Sequence, residues 1–210
     1  MKGLKILLTV FVLLLVGYIG FLNTKLYYKP TFSANGTNMD LVKQWRFLKG
    51  KMHSGEDQKM QQLFPEGYMF MNALHGLFSA QLALANDSTI SNQAYLESYR
   101  CYMNMERQEA KNVFPERLLL PYGAYYNGWS AYHMAKMMQT GKAENDTLLH
   151  DAFKQRCTAI ARSMSQRQSP YLESYEQFAW PADMLMCVAA LAAHDRLYAP
   201  QYKATIATWL

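Results

Sequence analysis

No acidic residue precedes Asp40, whereas Lys2, Lys5, Lys25 and Lys29 all fall in that stretch. The formal charge of +5 is therefore gathered at one end. Setting those four lysines aside leaves seventeen of the twenty-one basic residues against sixteen acidic ones, so the body is near neutral. A nucleic-acid binder keeps a basic face or stripe. None stands out here, and nucleic acid drops out as a partner. Charged residues make up only 18% of the chain and apolar ones half, which excludes a disordered composition. There are three cysteines, Cys101, Cys157 and Cys187, and no CxxC, so zinc-ribbon and thioredoxin-like motifs are missing. Each cysteine sits on an apolar helical pattern, where a buried free thiol is ordinary. In an oxidising compartment one pair could bridge, and spacing does not choose which. HExxH, Ser-His-Asp and phosphate-loop arrangements are also lacking. The sequence implies no metal site and no cofactor.

A long apolar run is present. Ile6 to Thr24 is uncharged over nineteen residues. At a helical rise of about 1.5 Å per residue it spans roughly 28 Å, close to a bilayer core. Lys2 and Lys5 precede it, as expected of a cytoplasmic N-terminus. A cleaved signal peptide wants a shorter core and a small-residue exit. The exit here reads Gly20-Phe-Leu-Asn-Thr-Lys25, and no lipobox cysteine follows. Residues 1–25 are therefore expected to remain as a membrane anchor, with the rest extracytoplasmic. Residues 26–57 read as a stalk, punctuated by Pro30, Ser33, Asn35, Gly36, Gly50, Ser54 and Gly55. Leu41, Val42, Trp45, Phe47 and Leu48 interrupt it and suggest a short docked helix.

Residues 58–210 read as a helical-hairpin domain, long enough for a sizeable core. Long alternating β-branched runs are absent, and apolar residues recur at three and four. The spacing predicts helices at 68–85, 91–112, 123–139, 146–166, 181–197 and 200 to the end. The fourth is amphipathic, with Leu149, Phe153, Cys157, Ile160 and Met164 on one stripe. The second is similar, with Tyr95, Tyr99 and Tyr102 facing one way. The fifth has no charge from Met184 to Ala193, and the first and third are apolar or aromatic on most faces. Odd-numbered helices are thus expected inside and even-numbered ones outside. A weak repeat supports hairpins. Phe64-Pro-Glu-Gly67 opens the first helix, Leu120-Pro-Tyr-Gly123 the third, and Pro181 the fifth. Tyr-Leu-Glu-Ser-Tyr occurs at 95–99 and again at 171–175, out of phase with that period, and reads as accidental.

Inner and outer helices alternating in hairpins of fifty-odd residues resemble the α/α-toroid, or six-hairpin, class. That class includes glycoside hydrolases, lyases and terpenoid-processing enzymes of the linalool dehydratase-isomerase type. The strings Phe114-Pro-Glu-Arg, Tyr126-Asn-Gly-Trp129 and Glu173-Ser-Tyr-Glu…Ala179-Trp-Pro-Ala-Asp183 are also similar to uncharacterised exported bacterial proteins, with no activity attached. A closed toroid needs six hairpins, and this chain holds about three. It stops at Thr208-Trp-Leu210 without a helix stop signal. The expected fold is all-α, an anchor followed by an incomplete toroid truncated at its C-terminal side.

Two stretches carry the chemistry expected of such a site. Ser169–Asp183 links an outer helix to an inner one and bears Tyr171, Glu173, Tyr175, Glu176, Phe178, Trp180 and Asp183. Long loops inside compact folds are often functional. Carboxylates beside flat rings suit a sugar: proton transfer by Glu173, Glu176 or Asp183, stacking by Tyr175 and Trp180. By resemblance, toroid enzymes place their sites at such inner-helix entrances. The plain structural account is that Asp183, third in its helix, complements the helix dipole. The second stretch is Tyr122, Tyr125, Tyr126, Trp129 and His133, on one helix face. Tyr125, Tyr126 and Trp129 are candidate substrate contacts and His133 a candidate acid or base. An aromatic stripe is equally what a core helix shows. His75 in the first hairpin is similarly open. Asn35, Asn86 and Asn145 head glycosylation sequons, relevant only in a eukaryotic secretory pathway. Two function classes follow. One is an anchored enzyme acting on a carbohydrate or other small organic substrate. The other is a non-enzymatic scaffold that binds a partner protein at the envelope. A third and weaker reading is an integral membrane protein whose 181–193 segment also inserts, a run too short to span.

Overall fold

The computed structural model describes residues 2–85, 87–169 and 171–209. Asn86 of the second sequon, Pro170 of the long loop and the terminal Leu210 lie outside the described residues. The described chain is all helical: α1 (Lys2–Leu26), α2 (Met39–His53), α3 (Glu56–Leu63), α4 (Gly67–Leu82), α5 (Ser88–Met105), α6 (Gln108–Lys111), α7 (Gly123–Met138), α8 (Thr147–Ser165), α9 (Pro181–Leu197) and α10 (Lys203–Trp209). It divides into two compact units, residues 1–40 and 41–210.

In the first unit α1 buries no side chain, and it is the one described helix long and apolar enough to cross a membrane. An anchor and a signal sequence both meet that description. Its few polar side chains bond back to the helix: Thr9 Oγ1 to the Lys5 carbonyl at 2.9 Å, Asn23 Nδ2 to Ile19 at 2.9 Å, and Thr24 Oγ1 to Phe21 at 2.7 Å. Such bonds keep hydroxyls and amides satisfied where water is absent. Beyond it a tight turn closes with Ser33 N–H on the Thr37 carbonyl (2.9 Å) and Met39 N–H on Thr31 (2.8 Å).

In the second unit α7 is central and packs on α9, α4, α8 and α5. Twelve of its sixteen residues are buried, against six of nineteen in α8, which separates an inner helix from an outer one. Helices α4, α7 and α9 lie side by side; α5 covers α4 and α7, while α8 covers α7 and α9. Close packing of α7 on α9 needs Gly128, where a Cβ would stand 2.9 Å from the Cys187 backbone nitrogen. All three cysteines are free and buried. Asp87 starts α5 by accepting Thr89 and Ile90 N–H at 3.0 and 3.1 Å, and Asp146 starts α8 by accepting Leu149 N–H at 3.0 Å.

Two expectations need correction. The short docked helix expected around 41–48 is present as the longer α2, and much of the supposed stalk is helical: α2 buries Val42, Trp45 and Met52, and the Trp45 indole donates to Ser79 of α4 at 2.9 Å. Gly50 lies inside α2 and was misread as punctuation. The single helix expected at 91–112 is two. At its C-terminal end α5 gives its Met105 carbonyl to the Tyr126 hydroxyl at 3.2 Å. Glu106 is drawn into ion pairs with Arg156 (2.9 Å) and Lys111 (3.1 Å). Arg107 then turns extended before α6.

Candidate functional site

The N-terminal ends of α4, α7 and α9 converge, and the long loop holds them together. Tyr122 and Gly123 adopt consecutive left-handed conformations (φ 66° and 75°) where α7 begins. This brings the first amides of α7 onto the loop: Ala124 N–H donates to the Glu173 carbonyl at 2.9 Å, and Tyr125 N–H to Ser174 Oγ at 3.0 Å. These donors have no partner inside a helix. The Ser174 hydroxyl in turn donates to Asp183 Oδ2 at 2.5 Å, linking the start of α7 to that of α9. A Cβ on Gly123 would stand 2.6 Å from the Ser174 carbonyl oxygen, so only glycine lets the loop sit this close. The loop folds back on itself where Phe178 N–H meets the Tyr175 carbonyl (2.9 Å), with Gln177 left-handed at φ 66°.

Glu66, which precedes the first residue of α4, accepts a hydrogen bond from the Tyr175 hydroxyl. Burial raises the Asp183 carboxyl above the usual carboxylate range, the Ser174 hydrogen bond opposes this, and the negative charge of Glu66 adds to the rise. The charge of Glu66 thus reaches Asp183 where the three helix ends meet, and neither acid lines the cleft beside that junction. Burial first, then Glu66, also pushes the Tyr175 and Tyr125 hydroxyls upward. Rings surround the junction. Tyr175 stacks on Phe114 (centroids 5.7 Å) and meets Trp180 edge-on (6.0 Å); Phe114 stacks on Tyr125 (5.4 Å). Tyr125 leads on to Trp129 (6.3 Å) and Trp129 to Phe70 (6.3 Å). Trp180 is 44% exposed, so one end of this belt meets solvent. A cleft of about 650 Å³ opens beside it, lined by Phe114, Arg117, Tyr175, Glu176 and Phe178 among others.

Of the residues singled out in the sequence, Asp183, Tyr125, Tyr175, Trp129 and Trp180 come together here. Glu176 lies on the cleft rim in an exposed ion pair with Arg117. Glu173 turns to Arg167 (3.4 Å) and accepts the Gln177 amide (3.1 Å). Tyr126 is buried, its hydroxyl on Met105 and its ring beneath Arg156. His133 lies two turns further along α7, about 12 Å from Tyr125 by helical rise. There Nε2 bonds the Ser98 hydroxyl at 2.7 Å, and that hydroxyl donates to the Gly76 carbonyl at 2.9 Å. With its proton spent on Gly76, Ser98 accepts from Nε2–H. Burial lowers the His133 pKa to about 3, so the ring is neutral. Glu66 was overlooked, although Phe64-Pro-Glu-Gly67 had been noted as a repeat. In that repeat it aligns with Tyr122, and both stand immediately before their helices.

A second polar cluster lies between α2, α4 and α5. Glu97 accepts from His53 Nε2 (2.8 Å), His75 Nε2 (3.2 Å) and Arg100 (2.6 Å). Burial pushes its carboxyl upward, and those three hydrogen bonds outweigh burial and hold it well below the usual range. Beside it Asp57, Asn72 and Asn104 form a chain of hydrogen bonds at 3.0 and 2.9 Å. No protein-family model, curated protein or solved structure matches the chain, so the reading of both clusters rests on their geometry.

Proposed function

We propose that this chain is an anchored, extracytoplasmic protein of α/α-toroid type whose inner-helix entrances form an enzyme site for a carbohydrate or similarly hydroxylated small molecule. The observation that carries the reading is that Glu66 and Asp183 lie at the same junction of helix ends, with Tyr175 bonded to Glu66 and Tyr125 and Trp180 in the surrounding rings. Asp183, with ionisation disfavoured, serves as the general acid that protonates a leaving oxygen. Glu66 serves as the partner carboxylate, and Tyr175 orients it. Flat rings at the junction supply stacking surface for sugar faces. Lys2 and Lys5, at the start of α1 and ahead of its apolar run, favour a cytoplasmic N-terminus and an exported body.

The test is turnover of a glycan and glycoside panel by the full chain in detergent. Asp183→Asn and Glu66→Gln are each expected to cut turnover at least a hundredfold, in line with loss of general acid–base catalysis, while leaving binding intact. Unchanged turnover in both variants would sink the reading. A scaffold that docks a partner protein is the second reading. It is favoured by apolar side chains left in solvent on the inner helices, notably Leu74 (42% exposed) and Leu185 (54%). Under it, Leu185→Glu disrupts co-purification of a partner while Asp183→Asn does not.

A further inference from the structure

The cluster between α2, α4 and α5 has no part in the junction just described, and its donor set is unusual for a purely structural network. His53 is the last residue of α2, His75 lies within α4, and Glu97 and Cys101 are one turn apart on α5. That i, i+4 spacing puts the carboxylate and the thiol on one helix face, towards α4. The ligand-capable atoms of His75, Glu97 and Cys101 lie within 4.8 Å of one another, and all three residues are buried. His53 Nε2 stands 2.8 Å from the second Glu97 oxygen. A buried ring nitrogen without a partner is uncommon, and His133 Nδ1 is a second case in this fold. His75 is 4% exposed, and its Nδ1 has no hydrogen-bond partner.

We propose that His53, His75, Glu97 and Cys101 form a mononuclear site for a divalent transition metal of the zinc class. Two imidazoles, one carboxylate and one thiol suit zinc or cobalt(II), and not calcium or magnesium, which want oxygen alone. Bonds of about 2.0–2.3 Å to a tetrahedral ion place ligand atoms about 3.2–3.7 Å apart. The N···O separations of 2.8 and 3.2 Å already approach that spacing, and the Cys101 sulfur lies within 4.8 Å of its neighbours. On binding, the Cys101 thiol releases its proton to solvent, each imidazole carries its proton on Nδ1 in place of Nε2, and the thiolate and both Nε2 atoms ligate. Access is through a cleft of about 480 Å³ that includes His53, Gln58, Arg100 and Asn104 in its wall. Arg100 is the competitor. It shares a Glu97 oxygen with His75 and lies 3.9 Å from Cys101 Sγ. Its side chain is 29% exposed and has solvent to swing into, so metal binding displaces it from the carboxylate.

The experiment is titration of the untagged full chain in detergent with zinc by calorimetry and with cobalt(II) by absorption. Expected are one equivalent per chain, a tetrahedral cobalt spectrum and a thiolate-to-cobalt charge-transfer band. Cys101→Ser should abolish that band and weaken binding at least tenfold, Glu97→Gln should weaken it similarly, and Arg100→Gln should tighten it. Absence of stoichiometric binding by the unaltered chain overturns the proposal. So does a cobalt spectrum without the charge-transfer band, or zinc affinity that neither Cys101→Ser nor Glu97→Gln changes. The spectrum of the unaltered chain decides the matter even where a variant fails to fold.

Discussion

Tyr-Leu-Glu-Ser-Tyr occurs twice, at 95–99 inside α5 and at 171–175 in the loop that clasps α7, and the two copies fold differently. In the helical copy the adjacent residues Glu97 and Ser98 are buried and Leu96 is 66% exposed. In the loop copy Leu172 and Ser174 are buried, Glu173 between them is only partly so, and Leu172 is 1% exposed. Burial of neighbours is what a helix turn allows, and burial of alternate residues is what an extended segment imposes. Five identical residues therefore take their conformation from what surrounds them. The first copy follows the Asp87 cap, and Ile90, Ala94, Cys101 and Met105 continue a buried helical stripe through it. The second stands between Pro170 and Pro181, and its Glu173 carbonyl and Ser174 hydroxyl are already committed to the amides of α7.

The sharpest way to break this contrast is to truncate the same leucine in each copy. Leu172→Ala empties a core position and should cost about 2–4 kcal/mol. Leu96→Ala removes an exposed side chain and should stay within about 0.5 kcal/mol. Urea unfolding of the full chain in detergent measures both, and equal losses would mean that the loop copy is not extended as described. Next is Gly123→Ala, expected to cost about 3 kcal/mol by combining a left-handed alanine with a backbone clash. The clash falls on Ser174, so amide exchange should quicken first across 171–178. Uniform quickening would show that the loop does not open separately.

These contrasts also mark how far the sequence could be read. Helices α4, α7, α8 and α9 follow from apolar spacing because one face of each meets the core along its whole length. Pro181 sets the start of α9 by local chemistry alone. The loop at 169–183 was recognisable from its aromatics and acids. Helix α2 was legible only in part, from Leu41 to Leu48, and α3 was not, because Gly50, Ser54 and Gly55 look like punctuation. The break after Met105 depends on Tyr126 and Arg156, far along the chain. Glu66 meets Tyr175 across more than a hundred residues, and Glu97 meets His53 across forty-four. No local spacing encodes either pair. The repeated pentapeptide says nothing of Glu97 and Ser98, since only packing distinguishes them from Glu173 and Ser174.

The two serines sharpen the comparison at smaller energies. Ser98→Ala removes the hydroxyl that His133 Nε2 bonds, in a fully buried ring whose Nδ1 already lacks a partner. The expected loss is about 2 kcal/mol. If solvent enters to replace the hydroxyl the loss shrinks towards zero, so a neutral result would show that the α4–α5–α7 core admits water.

Ser174→Ala should cost less, about 1 kcal/mol, because it removes a single helix-capping acceptor. Its distinguishing sign is in pH. The folded Asp183 pKa lies above its ordinary value, so the folded state binds this proton more tightly than the unfolded chain does. Stability from this group is therefore greatest below the ordinary carboxylate value and is lost as pH rises through the raised folded value. The Ser174 hydrogen bond favours the ionised form and opposes the rise. Without it the folded pKa climbs further, and the loss of stability on raising pH through that window steepens. Asp183→Asn removes the titrating group and should flatten that contribution. Melting temperatures of the three chains measured across that window would order them Ser174→Ala, unaltered, Asp183→Asn from steepest to flattest. The reverse order for the first two would mean that Ser174 holds the protonated acid and that Asp183 is poised to give its proton elsewhere.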